Sequence, residues 1–456
     1  MFESKNYFEN IKMDNDDAKE LRKSILNLVE KYTKISHNKK EFMPGKTIIP
    51  VSGKTYDQTE IQFLVSSSLD FWLTSDRFNK AFEKELALFL GSKFVLTTNS
   101  GSSANLLAVS ALKSKQLGKR ALKDGDEIIT VAAGFPTTVN PIIQNNLVPV
   151  FVDVKLGTYA IDETQIENAI SDKSAAIILA HTLGNTFEIE KIKKIADENN
   201  LWLIEDCCDA LGTTYKGKHV GKFGDIGTLS FYPAHHITMG EGGAVFTDNS
   251  TLKRIIESLR DWGRDCFCAP GQNNTCGKRF EWKLGELPVG YDHKYIYSNL
   301  GYNLKITEMQ AAIGLGQITK LPNFVKIRKE NFSYLKKELS KFEKYLILPM
   351  PTIDSDPSWF GFPITVRISA PFTKNDLINH LSSKLIDTRP LFAGNLTKQP
   401  YFEDLKYRVV GELTNTNIIM NNTFWIGVFP GLTKEMLDYV IEQFESFFNQ
   451  KLQVVK

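Results

Sequence analysis

Between Phe94 and Thr247 the chain alternates short, nearly continuous apolar runs with amphipathic stretches. The runs predict strands at Phe94–Thr98, Glu127–Val131, Val148–Val154, Ala175–Ala180, Leu201–Glu205, Ile226–Phe231 and Ala244–Thr247. The intervening periodicity predicts helices at Ala104–Leu117, Thr138–Gln144, Glu163–Ser171 and Ile189–Glu198. Strands that are apolar on both faces, spaced by helices, imply an α/β architecture with a mostly parallel sheet covered on both sides. Ligands of such sheets sit beyond the carboxyl ends of the strands.

Upstream, residues 1–45 read as an N-terminal extension with one amphipathic helix, Ala18–Tyr32, packed on the main body and stopped by Pro44-Gly45. A second helix, Arg77–Leu90, leads into the first strand. Beyond residue 250 the pattern changes. Residues 260–303 are polar and rich in Gly, Cys and aromatics, and a loop of that length is functional or disordered. Helices follow at Thr307–Ile318 and, after Pro322, towards Leu339. Strands near Tyr345–Leu348 and Phe362–Val366 and helices near Lys374–Leu381 and Lys434–Phe447 predict a smaller α+β unit. The division expected is an extension (1–45), a large domain (46–320) and a small C-terminal domain (321–456).

Composition narrows the function. Of 456 residues, 42% are hydrophobic and 24% charged, as in soluble globular proteins. A formal charge of +2 leaves no clustered basic excess for a nucleic acid. No apolar run reaches the roughly 18 residues that span a bilayer, and Met1–Glu41 lacks the apolar core of a secretory signal. A cytoplasmic protein is the expectation. Five cysteines with no evident pairing read as thiols or metal ligands rather than disulfides.

The chemistry concentrates where the run Ile226–Phe231 opens into Ser-Phe-Tyr-Pro-Ala-His-His-Ile-Thr-Met-Gly-Glu-Gly-Gly, Ser230–Gly243. So many polar groups at the end of a buried strand require partners. Asn99-Ser100-Gly101-Ser102-Ser103 joins the first strand to its helix. Small residues at a helix start expose N–H groups to an anion, although a simple helix cap reads the same way. Asp206 ends another strand, next to Glu205, and a carboxylate there needs a cation or donors. Phe135 follows the second strand, and from the residues alone a core phenylalanine is the favoured reading.

Ser230–Gly243 resembles the cofactor-lysine segment of the DegT/DnrJ/EryC sugar aminotransferases, which read Ser-Phe-x-x-x-Lys-x-x-x-x-Gly-Glu-Gly-Gly. That family has the pyridoxal-phosphate-dependent transferase fold type I. Its members act on nucleotide-linked 4-keto-sugars. The resemblance implies that Ser102, Ser103 and Ser230 bind the cofactor phosphate and that Phe135 stacks on the ring. It implies that Asp206 holds the pyridine nitrogen protonated and that Asp209 contacts the cofactor. Asn303 would reach the phosphate of a partner subunit in a homodimer. Lys305 stands where most relatives carry arginine. His235 occupies the lysine position. An imidazole cannot bond covalently to the aldehyde cofactor, but it serves as a base near neutral pH. The expectation is therefore noncovalent pyridoxamine phosphate with His235 as catalytic base, and dehydration rather than amino transfer. The adjacent His236 is the competing base, and a strand-like backbone would point it the opposite way.

Cys208, Cys266, Cys268 and Cys276 complete the picture. Four thiolates suit either a 2Fe–2S cluster or a tetrahedral zinc. Their spacing, and the segments Arg-Asp-Trp-Gly-Arg-Asp-Cys and Gly-Tyr-Asp-His-Lys-Tyr, resemble the cluster-bearing 3-dehydrases of 3,6-dideoxysugar biosynthesis within that family. This likeness implies a CDP-linked 4-keto-6-deoxyhexose substrate, a 2Fe–2S cluster on the four cysteines, and electrons from a flavin- and iron–sulfur-containing reductase. Cys207 is left as a buried thiol. His293 and Arg389 are the candidate substrate contacts, the arginine for a phosphate or sugar oxygen.

Overall fold

Consecutive residues of the central strands point into two different cores. Val95, Ile129, Val150, Ile177 and Leu203 enter one, and Leu96, Ile128, Phe151, Ile178 and Ile204 enter the other. This is the period-two consequence of burying a sheet on both faces. A computed structural model describes residues 15–37 and 41–453. The first fourteen residues of the predicted extension lie outside them. Among the described residues no helix is long and apolar enough to cross a membrane.

The large sheet has eight strands. They include β1 (Phe94–Thr98), β2 (Glu127–Val131), β3 (Val148–Val152), β4 (Ser174–Ala180), β5 (Trp202–Asp206), β6 (Ile226–Ser230) and β7 (Gly243–Thr247). Their order is β1-β7-β6-β5-β4-β2-β3, and the short segment Arg408–Val409 extends the β3 edge. The β2–β3, β2–β4, β4–β5 and β5–β6 pairs are parallel, whereas β7 is antiparallel to β1 and β6. The carboxyl ends of β1, β5 and β6 therefore open on one side.

The helices that matter for the site are α1 (Asp16–Ser36), α2 (Gln58–Asp70), α3 (Arg77–Leu90), α4 (Gly101–Ala111), α5 (Pro136–Gln144), α6 (Ile189–Glu198), α7 (Ser250–Arg260), α8 (Glu308–Ile318) and α9 (Leu321–Leu339). Two are absent from the sequence expectation. α2 starts with a capping box between Asp57 and Glu60. α7 is capped by Asn249, whose side chain accepts from the N–H groups of Thr251 and Leu252. The predicted Ala104–Leu117 helix starts earlier and stops at Ala111. A 3-10 turn over Lys115–Arg120 follows, with Gly118 at φ 58°. The predicted Glu163–Ser171 helix is a 3-10 turn, Glu163–Gln165, and one short turn of α-helix, Ile166–Ala169.

A second, antiparallel sheet holds β8 (Gly361–Val366) and β9 (Thr423–Gly427), flanked by Leu346–Ile347 and Arg389–Pro390. The helices Lys374–Ser383 and Lys434–Gln453 belong to its core, which also takes in Ile49 from the early chain. Residues 261–303 are irregular except for one 3-10 turn, His293–Tyr295, with bridges at Asp261–Asn303 and Arg264–Tyr297. On the other flank α1 packs on α2 through Arg22, which meets Ser66 Oγ at 2.7 Å and Asp70 at 2.8 Å.

Candidate active site

The ends of β1, β5 and β6 and the start of α4 surround a cavity of about 720 Å³, the size of a cofactor-and-substrate site. Ser100, Ser102, Phe135, Asp206, Asp209 and His235 are on its wall, together with Cys208, Ser230 and Arg389. Residues that the sequence scatters from Ser102 to Arg389 are thus collected by the fold in one place.

Asp206 forms the buried floor. Its Oδ2 accepts from Asn105 Nδ2 at 2.8 Å and Thr138 Oγ1 at 2.7 Å, and its Oδ1 from Cys208 N–H at 3.1 Å. Asn105 is fixed in turn by Thr228 Oγ1, 2.6 Å from its Oδ1. These supports were not anticipated. The signal for Asn105 was present: it is four residues after Gly101 on α4, hence on the same face. Glu205 points away from the cavity and is consumed by the fold. It accepts from Gly221 N–H (2.8 Å), Phe223 N–H (2.8 Å) and Gly224 N–H (2.6 Å), and pairs with His181 Nε2 at 3.1 Å. Burial opposes its charge, but His181 and the backbone donors prevail and hold its pKa below the ordinary value.

The anion-binding turn is built on close approach. Ser100 caps α4 by accepting from Ser103 N–H at 3.1 Å, and the two hydroxyls are 3.0 Å apart. Ser103 is engaged in that cap and Ser102 is on the cavity wall. A Cβ at Gly101 would come within 2.4 Å of Ser230 Cβ, and one at Gly243 within 2.4 Å of Ser100 O. Both glycines are therefore needed to bring the β6 end, the β7 start and the helix N-terminus together. Phe135 is 51% exposed rather than a core residue, and meets Phe392 edge-on at 5.7 Å. It offers a flat wall for a planar ring.

His235 lies between Asp209 and Phe360. Its Nδ1 is 3.7 Å from Asp209 Oδ1, beyond hydrogen-bond reach, and its ring centroid is 5.2 Å from that of Phe360. Burial, partly offset by Asp206, pushes its pKa down to about 4, so the imidazole is neutral at neutral pH. Burial, reinforced by Asp206, raises Asp209 to about 7. Its Oδ2 accepts from Leu183 N–H at 3.2 Å. His236 Nε2 donates to Ser358 O at 2.8 Å, and the backbone here is a turn rather than the strand that the alternation argument assumed. Arg328, unanticipated from sequence, is fully buried behind this turn. It donates to Trp359 O and Phe360 O at 3.2 Å and to His235 O at 3.4 Å.

Other candidates lie elsewhere. Asn303 is exposed, accepts from Lys305 Nζ at 2.8 Å, and is not on the cavity wall. His293 is buried inside the long loop. Its Nε2 is 2.6 Å from Asp265 Oδ2 and its ring stacks on Trp282. Arg389 is at the cavity rim, its Nη1 donating to Thr388 O.

The four cysteines are not gathered. Cys208 faces the main cavity, whereas Cys266 and Cys268 line a separate, charged hollow with Arg254, Arg260 and Arg264. Cys268 Sγ is 3.0 Å from Thr275 Oγ1, and Cys276 Sγ accepts from Lys278 N–H. Among the described residues no group of three or more His, Cys, Asp or Glu is placed to hold a metal ion. In this arrangement the thiols do not fit a four-cysteine cluster or zinc. Burial, with the charge of Asp206, pushes the Cys208 thiol well up, so it is protonated. Cys207 is buried, as expected.

A sheet of this order, with a carboxylate floor, a helix N-terminus and an aromatic wall at the strand ends, defines the class: the fold is that of the pyridoxal-phosphate-dependent fold type I enzymes. The chain belongs to the DegT/DnrJ/EryC1/StrS aminotransferase family, which it matches over residues 55–445. It is 62% identical over 431 residues to the lipopolysaccharide biosynthesis protein RfbH of Salmonella typhimurium, covering 94% of this chain and 99% of that one. It is 52% identical over 406 residues to the dTDP-4-dehydro-2,6-dideoxy-D-glucose 3-dehydratase of Saccharopolyspora spinosa, covering 89% and 88%. Among solved structures, GDP-4-keto-6-deoxymannose-3-dehydratase with a trapped PLP–glutamate geminal diamine superposes with a TM-score of 0.78 at 30% identity, over 87% of this chain and 99% of that one.

Proposed function

We propose that this chain is a pyridoxamine-phosphate-dependent enzyme that removes the C3 hydroxyl of a nucleotide-linked 4-keto-6-deoxyhexose, CDP-linked, in 3,6-dideoxysugar and lipopolysaccharide O-antigen biosynthesis. One observation carries the reading. The cavity wall holds His235 where the family has its lysine, and no lysine lines that wall among the described residues. The relatives named 3-dehydratases support it.

The residues fit the cofactor. Bound there, pyridoxamine phosphate supplies an amine that reacts with the 4-keto carbon and a ring that withdraws electrons. The N-terminus of α4, with Ser102 and Ser230, binds the phosphate. Phe135 covers one ring face. Asp206, held by Asn105 and Thr138, keeps the proton on the ring nitrogen. His235, neutral and packed against Phe360, takes the proton from C4′ and, once charged, gives it to the departing 3-hydroxyl. Arg389 at the rim contacts the nucleotide phosphates. Asn303 acts across a homodimer, and the chain divides near residue 320 into cofactor and small domains. The site works in the cytoplasm.

The cysteine spacing supports a 2Fe–2S cluster fed by a flavin/iron–sulfur reductase, but the ligands stand apart here. That separation favours a second reading, a cluster-free 3-dehydratase whose cofactor is regenerated by glutamate. It also removes support from a zinc-stabilised, non-catalytic sugar-binding protein.

The test is incubation of anaerobically purified chain with pyridoxamine phosphate and CDP-, GDP- or dTDP-linked 4-keto-6-deoxyhexose. Iron is assayed, and glutamate or a reductase is supplied in parallel. Loss of the C3 oxygen from the CDP sugar is expected. Amino transfer to C4 as the sole outcome would overturn the proposal.

A further inference from the structure

One face of α1 is packed on α2 and another stands open. Arg22, Leu26 and Thr33 are buried on the packed face, which Arg22 ties to Ser66 and Asp70 of α2. Roughly 110° round the helix, counting 100° per residue, Leu21, Ile25, Leu28 and Tyr32 form a continuous stripe. Their exposures are 65%, 37%, 63% and 63%. Single exposed apolar side chains are ordinary, whereas a contiguous row of them marks a contact surface.

The spacing and the charges identify the occupant. The stripe advances by four, three and four residues, the alternation of a coiled-coil seam, whose knobs are met by a second helix running alongside. The seam is symmetric about its middle. Set antiparallel to a copy of itself, it places Leu21 against Tyr32 and Ile25 against Leu28, each pairing occurring twice, as an isologous contact requires. Charge is self-complementary in the same sense. The start of α1 carries Asp16, Asp17 and Glu20 against Lys19, and its last six residues carry Lys31 and Lys34 and no acid. Lys34 is also paired with Glu30 along the helix. A parallel copy would set like charges together at both ends. An antiparallel copy sets the acidic end beside the basic one and opposes the two helix dipoles.

We propose that α1 is a pairing surface for a second copy of this chain, and that two α1 helices pack antiparallel about a two-fold axis through the middle of the seam. The family match begins at residue 55, so this contact is an addition in front of the shared fold. None of the four stripe residues lines the large cavity. The inference therefore stands apart from the proposed function, and it does not depend on the contact proposed for Asn303.

Cysteine cross-linking of the full chain tests the pairing. In the double variant Leu21→Cys with Tyr32→Cys, each new thiol would face its counterpart on the other copy. Within one helix the two positions are about 16 Å apart along the axis, too far to bridge. Under mild oxidation the double variant should run at twice the chain mass on a non-reducing gel, while wild type and both single variants run at the chain mass. A double variant that stays at the chain mass overturns the pairing. Single variants that cross-link as readily overturn the antiparallel arrangement. Leu28→Glu gives a second reading, at an exposed position where folding is not at stake. Sedimentation over a dilution series should show its largest assembly separating at a concentration at least about tenfold higher than in the wild type. An unchanged midpoint overturns the proposal.

Discussion

Thr138 Oγ1 lies 2.7 Å from Asp206 Oδ2, and the Asn105 amide shares that oxygen at 2.8 Å. Two neutral donors on one buried oxygen fix the carboxylate in place and aim its other oxygen. Thr138→Val keeps the shape and removes one donor. Its expected effect is a cofactor affinity lower by about tenfold, near 1.4 kcal/mol for a hydrogen bond to a charged group. Spectroscopic titration with pyridoxamine phosphate checks it. Unchanged affinity would mean that Thr138 does not hold Asp206 in place for the cofactor.

Titration of His235 has a defined sign. Its pKa in the ligand-free fold is about 4, below the unfolded value, because burial disfavours the charged ring. The ring therefore contributes stability that is fully present above pH 6.5. That contribution falls away as the pH drops towards 4, by on the order of 3 kcal/mol. NMR titration of the ligand-free protein should place this imidazole near 4, and His235→Asn should flatten the pH dependence of unfolding in that window. A measured value near 6.5 would contradict the buried placement.

Glu205 is a structural group, not a cofactor ligand. Glu205→Gln turns an acceptor for several N–H groups into a partial donor facing them, with His181 left behind. A loss of about 3 kcal/mol in unfolding free energy is expected. Because the pKa of Glu205 is held below its ordinary value, the wild-type contribution is present above the unfolded carboxylate pKa and fades as pH falls. Denaturant unfolding at two pH values measures both.

Gly101→Ala should fold and bind the cofactor poorly. The new Cβ would stand 2.4 Å from Ser230 Cβ and 3.1 Å from Cys208 Sγ. The β6 end and the helix N-terminus must then separate, at a cost of about 1–3 kcal/mol. Calorimetric titration with pyridoxamine phosphate would show the loss. Wild-type affinity would place the phosphate elsewhere.

The strand ends were the legible part of this molecule. Apolar runs of about five residues located β1, β2, β3, β5 and β6, and the polar groups just past them were the cavity wall. Hydroxyl and amide supports such as Thr138 and Asn105 were not legible, because they act through a fold that joins residues far apart in sequence. Arg328 was hidden similarly: a lone arginine in an amphipathic helix reads as a solvated charge, yet it is buried against the chain entering β8. α2 escaped notice because its buried face is partly polar, with Glu60, Ser66 and Ser67 inside. In the cysteine loop, spacing suggested a common ligand set, but spacing does not specify the backbone path that would bring Cys208 to the other three.

On the proposed function an imidazole does the work at the position of the family's lysine. The direct measurement is exchange of the C4′ hydrogen of pyridoxamine phosphate with solvent deuterium in the presence of the 4-keto sugar, for wild type and for His235→Asn. Exchange is expected in the wild type, and its loss, by at least about 100-fold, in a variant that still binds the cofactor. Exchange at the wild-type rate in His235→Asn would contradict it.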